Sequence, residues 1–304
     1  MDPIDLSRVR RLYRDGINVV DYLKRQLGSH VNTEQVIEIA YDMQAGSYVE
    51  YFRKHFATET VYHRELAEVL GRYLAPGDSV LDVGTGEMTT LASIAAACYE
   101  RVAVAYAMDI SVSRLIVGRR HLAATLAADL TQRIRPVSAT LFELPFADSS
   151  IDVVWTSHAI EPNGGREQQA LTELVRVARR YLVLFEPSYR RNSEAGRQRM
   201  QQLGYVGDLE DLAARLPGVQ LEAVVPIQHT QNPLNPTYAH VLRKSESASD
   251  EQPTLRCPLT HGPLRASDGY LYSSSALLAY PILEGIPILR RDKGISASIL
   301  DTEG

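Results

Sequence analysis

Between Ser79 and Glu186 the chain changes its hydrophobic period repeatedly, and this alternation constrains the fold more than any other feature. Ser79-Val80-Leu81-Asp82-Val83 is a short apolar run ending in Gly84-Thr85-Gly86, after which apolar positions return at helical spacing from Met88 to Cys98. The pattern recurs along the chain. Residues 101–109 read as strand, 111–128 as helix, 134–141 as strand, 151–157 as strand, 168–179 as helix and 181–186 as strand. Strands alternating with helices at this spacing predict an α/β domain whose mostly parallel sheet is covered on both faces. Helices over 192–203 and 208–216 lead to a closing pair of apolar runs, 220–227 and 237–244, expected to contain an antiparallel strand.

The flanks read differently. Residues 4–74 carry apolar positions at helical spacing, with Asn32 or Thr33 placed to cap one helix and a last helix expected over 58–73. Residues 244–253 are polar and serine-rich and form the linker candidate. Residues 254–291 are rich in Pro, Gly and Tyr and read as a compact strand-and-turn module. The expected division is a helical lid region over 1–75, a ligand-binding domain over 76–244 and a small module over 254–304.

Composition narrows the function classes. With 45% apolar and 23% charged residues the chain is too hydrophobic for general disorder. A formal charge of −5 gives no global positive field for phosphate backbones, so nucleic acid is not expected as a partner. The two cysteines, Cys98 and Cys257, give no disulfide framework. No leader pattern and no apolar run of bilayer length stand out, and the expected setting is cytoplasmic, without a membrane partner.

Glycines after a buried strand let a backbone approach a ligand closely, which makes the Gly84-Thr85-Gly86 loop the expected ligand site. No Gly-Lys-Ser or Gly-Lys-Thr follows it, so a nucleoside-triphosphate cradle would lack its lysine. Glu87 would repel a pyrophosphate but tolerate a cationic sulfonium. Asp109, ending the second strand, is placed to accept from ribose hydroxyls.

Taken in order, Leu81-Asp82-Val83-Gly84-Thr85-Gly86, Asp109-Ile110-Ser111, Leu144-Pro145-Phe146-Ala147-Asp148-Ser149-Ser150-Ile151-Asp152-Val153-Val154 and Ser157-His158-Ala159-Ile160-Glu161 resemble the class I S-adenosylmethionine-dependent methyltransferases. The resemblance implies a doubly wound, mostly parallel seven-stranded sheet (a Rossmann-like methyltransferase fold) with N-terminal helices and a small C-terminal α+β module. It implies S-adenosylmethionine as cofactor, held by Asp82, Gly84, Gly86, Glu87, Asp109, Ile110, Leu141, Phe142 and Ser157. Thr140 stands where the family often has an acidic residue. Tyr41-Asp42-Met43-Gln44-Ala45-Gly46-Ser47-Tyr48 is similar to the aromatic lid segment of many such enzymes, with Tyr41 and Tyr48 closing over the cofactor. His158 and Glu161 are the catalytic candidates. Glu186, His229, Asn232 and Asn235, with His240, are candidates for binding the acceptor.

The C-terminal segments Arg256-Cys257-Pro258-Leu259-Thr260-His261-Gly262-Pro263-Leu264 and Leu278-Ala279-Tyr280-Pro281-Ile282-Leu283-Glu284-Gly285-Ile286-Pro287-Ile288-Leu289 resemble the small zinc-ribbon-like activator subunit of methyltransferases. Only Cys257 of that family's cysteines remains, with Thr260 and Ser273 at lost positions, so no metal is expected. The expected activity is methyl transfer to a small-molecule acceptor, O-directed on a sugar or secondary metabolite in biosynthesis. An RNA or protein acceptor and a non-catalytic cofactor-binding scaffold stay open as alternatives, as does assembly with a second copy of the chain.

Overall fold

In the computed structural model, which describes residues 4–205, 207–230, 232–245 and 251–301, five helices precede the sheet. They are α1 (Leu6–Arg14), α2 (Val19–Leu27), α3 (Glu34–Met43), α4 (Ser47–Lys54) and α5 (Phe56–Gly71). Thr33, rather than Asn32, caps α3 by accepting from the Val36 amide. Helices α1 to α3 bury Val9, Val19, Leu23, Val36 and Ala40 against one another as a small core of their own.

The sheet is built from β1 (Ser79–Val83), β2 (Val104–Asp109), β3 (Ile134–Ser138), β4 (Ile151–Ser157), β5 (Ala178–Pro187), β6 (Val219–Pro226) and β7 (Thr237–Lys244). Its seven strands run in the order β3-β2-β1-β4-β5-β7-β6. The first five are mutually parallel, whereas β7 pairs antiparallel with both β5 and β6. The strand order reverses between β1 and β4, so a crevice opens beyond their carboxyl ends. Crossovers run through α6 (Thr89–Cys98), α7 (Val112–Thr125), α8 (Ala128–Arg133) and α9 (Glu167–Val177), with α10 (Glu194–Leu203) and α11 (Leu209–Arg215) ahead of β6. The single helix expected over 111–128 is in fact two, because the chain turns extended at Leu126 and Ala127.

Strand residues alternate between two cores because successive side chains point to opposite faces. Leu81, Val83 and Val154 join one core, and Val80, Val153 and Trp155 the other. Trp155 is wholly buried, and its Nε1–H donates to the Tyr99 hydroxyl at 3.0 Å.

The C-terminal segment forms a second sheet from β8 (Arg265–Ser267), β9 (Tyr270–Ser273), β10 (Leu278–Leu283), β11 (Ile286–Pro287) and β12 (Ile295–Ser296), all antiparallel. Besides these strands its described residues carry 3₁₀ turns and no α-helix, so the expected α+β module is a β-sheet with turns. The connections from β8 through β11, of two to four residues each, leave no room for an α-helix. The module docks on the open edge of β3, where Ile288 bridges Ser138 in parallel and the Leu289 amide donates to the Ser138 carbonyl at 2.8 Å. Cys257, Tyr280 and Leu289 enter the same core as Leu81. Of the expected linker, residues 246–250 lie outside the described residues.

Candidate functional site

Strand β1 ends at Val83, and the chain then turns through Gly84 at φ 79° and Gly86 at φ 55°, in the left-handed region that glycine alone enters freely. The Gly84 and Thr85 amides donate to the Met108 carbonyl at 2.7 and 2.9 Å, and the Gly86 amide to Asp109 Oδ2 at 2.9 Å. The turn is thereby pinned to the end of β2. A Cβ on Gly84 would run into the Ala159 side chain, and one on Gly86 into the Arg114 guanidinium. The second oxygen of Asp109 accepts from the Ser111 amide at 2.9 Å. Each oxygen keeps a further lone pair for a ligand.

Beyond this turn lies a cavity of about 240 Å³. Gly84, Asp109, Ile110 and Ser157 line it from the strand ends, and Leu141 and Phe142 from the loop after β3. Tyr41 and Tyr48 close it from α3 and α4, and His158 and Glu161 stand at its far side. The structure thus brings most of the expected residues into one space.

Several expected site residues lie elsewhere. Glu87 is buried behind the turn, and its oxygens accept from the Gly46, Val49 and Tyr48 amides at 2.9, 2.8 and 3.4 Å. Helix α4 begins at glycine without a capping side chain of its own, and Glu87 supplies the cap. Its charge is therefore spent on the lid and not on a ligand. Asp82 points into the sheet interior, where burial pushes its carboxyl well above the usual range. Gly86 lies beneath the Arg114 side chain. Glu186 is fully buried, accepting from the amides of Ala159, Ile160 and Glu161 and from the Thr156 hydroxyl, so it shapes the loop after β4 and does not face an acceptor. Burial raises the Glu186 carboxyl to about 7, against the opposing pull of the His158 charge.

Among the acceptor candidates, His229 turns outward, with its amide and Nδ1 against Glu65. Asn232 closes a turn by accepting from the Leu234 amide, and His240 lies in the interior beside the Leu184 carbonyl. Asn235 alone reaches the site, donating from Nδ2 to Glu161 Oε2 at 3.1 Å.

His158 adopts φ 54°, and its amide donates to the Phe185 carbonyl. Its Nδ1 donates to Glu161 Oε2 at 2.7 Å, while Nε2 lies 2.9 Å from Thr237 Oγ1 and 3.2 Å from the Tyr62 hydroxyl. Burial alone would lower the imidazole, but the adjoining Glu161 carboxylate outweighs it and holds His158 well above its ordinary value. Glu161 is raised by burial and pulled down further by His158, ending below the usual carboxylate range. Each partner thus favours the charged form of the other.

Tyr62, Thr237 and Arg114 were not anticipated from sequence. The first two come from α5 and β7 and meet His158 only through the fold. Asp42 of α3 accepts from Ser111 Oγ at 2.7 Å and from Ser113 at its amide and hydroxyl, tying the lid to the start of α7. The serines flanking Val112 were the local signal of an open helix start.

Residues 81–183 match a family described as a methyltransferase domain. Among solved structures, the chain is similar to magnesium protoporphyrin IX methyltransferase from Synechocystis PCC 6803 with bound SAH, at 16% identity over 70% of this chain and 100% of that one, TM-score 0.53. It is also similar to a chain in the complex between the Haloferax volcanii Trm112 methyltransferase activator and a putative methyltransferase, at 15% identity over 67% and 99%, TM-score 0.51. At these identities the likeness is one of fold.

Proposed function

We propose that this chain, an S-adenosylmethionine-dependent methyltransferase, methylates a small molecule at an oxygen of a sugar or secondary metabolite. The observation carrying the reading is the concave cavity between Tyr41, Tyr48 and the Gly84 turn, with the His158–Glu161–Asn235 cluster beside it. A concave pocket of this size suits a small molecule better than a polymer surface. The basic residues of the neighbouring groove, Arg290, Arg291 and Lys293, are paired with Glu38, Glu143 and Asp292, which argues against an RNA surface there.

The residues fit the donor. Gly84 lines the cavity, and Asp109 beside it retains lone pairs for ribose hydroxyls. When bound, S-adenosylmethionine supplies a methyl group already activated on a positive sulfur, so alignment does most of the remaining work. Phe142 and Leu141 are assigned to the adenine side. His158 is assigned to orient Glu161 by donating a hydrogen bond to it, and Glu161 has the lone pairs to accept a hydrogen bond from an acceptor hydroxyl.

The C-terminal module, read as a metal-free relative of the activator subunit, is assigned a bracing role. Support comes from its strand-like pairing with Ser138 and from the Arg290–Glu38 ion pair at 2.7 Å, which reaches the lid helix α3. At its turn, the Thr260 and Ser275 hydroxyls hydrogen-bond each other, and Cys257 Sγ lies against the Tyr280 hydroxyl.

Labelled S-adenosylmethionine offered with hydroxylated small molecules, tRNA and protein tests the acceptor class. Label on an oxygen of a small molecule is the expected result. Label found only in RNA or protein overturns the reading.

A further inference from the structure

Arg114 stands in the first turn of α7, and only 8% of it is exposed. Its guanidinium carbon lies 4.5 Å from the Tyr48 ring centroid and 5.1 Å from that of Tyr41, and the group covers Gly86 and lines the cavity. Among the described residues the guanidinium has no carboxylate in ion-pair range, and its Nε is buried without an acceptor. The buried Arg290 is paired with Glu38 and Asp292, and the partly buried Arg176 and Arg179 with Glu173, Asp148 and Asp152. An unpaired buried cation is costly, and two tyrosine faces offset that cost only in part. The arrangement leaves N–H donors in want of an anion at the cavity wall.

We infer that Arg114 binds the α-carboxylate of the donor's methionyl group; the assignment rests on the donor reading given above. That carboxylate is the one anionic group S-adenosylmethionine carries. A guanidinium set against the sulfonium would repel it, whereas one set against the carboxylate forms a charge-assisted, two-pronged contact. Arg114 covers Gly86, whose amide is held by Asp109, so the anion is recognised on the same turn that carries the ribose site. Because Tyr41 and Tyr48 come from the lid, the same contact ties donor capture to lid position.

Calorimetry on the full chain tests this with two ligands that share adenosine and a thioether: S-adenosylhomocysteine, which has the amino-acid group, and 5′-methylthioadenosine, which lacks it. Arg114→Met is expected to weaken S-adenosylhomocysteine about 10- to 100-fold while leaving methylthioadenosine within about twofold. Arg114→Lys, keeping the charge without the fork, is expected to fall between. Equal weakening of both ligands means that Arg114 only shapes the pocket, and unchanged S-adenosylhomocysteine binding with a raised acceptor KM assigns it to the acceptor; either overturns the proposal. Failure of the folded wild-type chain to bind either ligand removes the donor reading itself, and is distinct from wild-type binding that Arg114→Met does not alter.

Discussion

His158 and Glu161 set each other's charge. His158 is raised, so its part of the pair's stability is fully present below about pH 6.5, the ordinary imidazole value, and is lost as pH rises through the raised one. Glu161 is lowered, so its part is present above 4.5 and is lost as pH falls through the lowered value. The pair is therefore complete across the interval between 4.5 and 6.5 and beyond it on both sides. In Glu161→Gln, burial acts on the imidazole against only the smaller pulls of Tyr62 and Glu186, and the His158 titration followed by NMR is expected to move down from its wild-type position. A midpoint unchanged from the wild type would show that Glu161 is not what holds the proton. At this scale the sequence was partly legible. Gly84 and Asp109 announce themselves because a turn at positive φ and a carboxylate at a strand end are local demands. Glu87 misled because its partners, Gly46 and Val49, lie some forty positions upstream in a helix start whose missing cap no local pattern reveals.

The lid is attached at element ends by two crossed carboxylates. Glu87, from the turn ahead of α6, caps α4, and Asp42, from the end of α3, accepts from the Ser113 amide in the first turn of α7, whose own cap is Ser111. Each satisfies amides that a helix start leaves open, and a lost cap of this kind costs about 0.5–2 kcal/mol. Glu87→Gln presents amide hydrogens to backbone donors, so amide exchange at residues 46–49 is expected to accelerate while the central strands stay protected. Exchange unchanged at those positions would contradict the capping role. The strand–helix alternation of the sheet was readable because each unit's periodicity is contained within it. The placement of His229 was not, since the segment ahead of β7 turns outward to meet Glu65 of α5, a pairing across about 160 residues.

Over the whole molecule the second sheet shares a hydrophobic core with the first. Leu289 and Tyr280 share a core with Leu81 and Val83, and Arg290 and Lys293 reach Glu38 on the lid. Removing a buried leucine side chain costs about 2–5 kcal/mol. Leu289→Ala is accordingly expected to lower the melting temperature of the entire chain in one transition, followed by calorimetry together with circular dichroism. A C-terminal part that melts ahead of an unaffected main sheet would contradict that sharing of one core. The docking of the module on β3 was not legible beforehand, because polar composition marks a break in the chain without saying which edge the next segment covers.

The claim on which the rest depends is that the Gly84 turn and Asp109 together hold an adenosyl donor. Titration calorimetry of wild-type and Asp109→Ala protein with S-adenosylhomocysteine tests it most directly. One site in the wild type, weakened about 10- to 100-fold in the variant by the loss of hydrogen bonds to a charged acceptor, is the predicted result. A folded wild-type chain that gives no binding heat, or a variant that binds as tightly as the wild type, would contradict it.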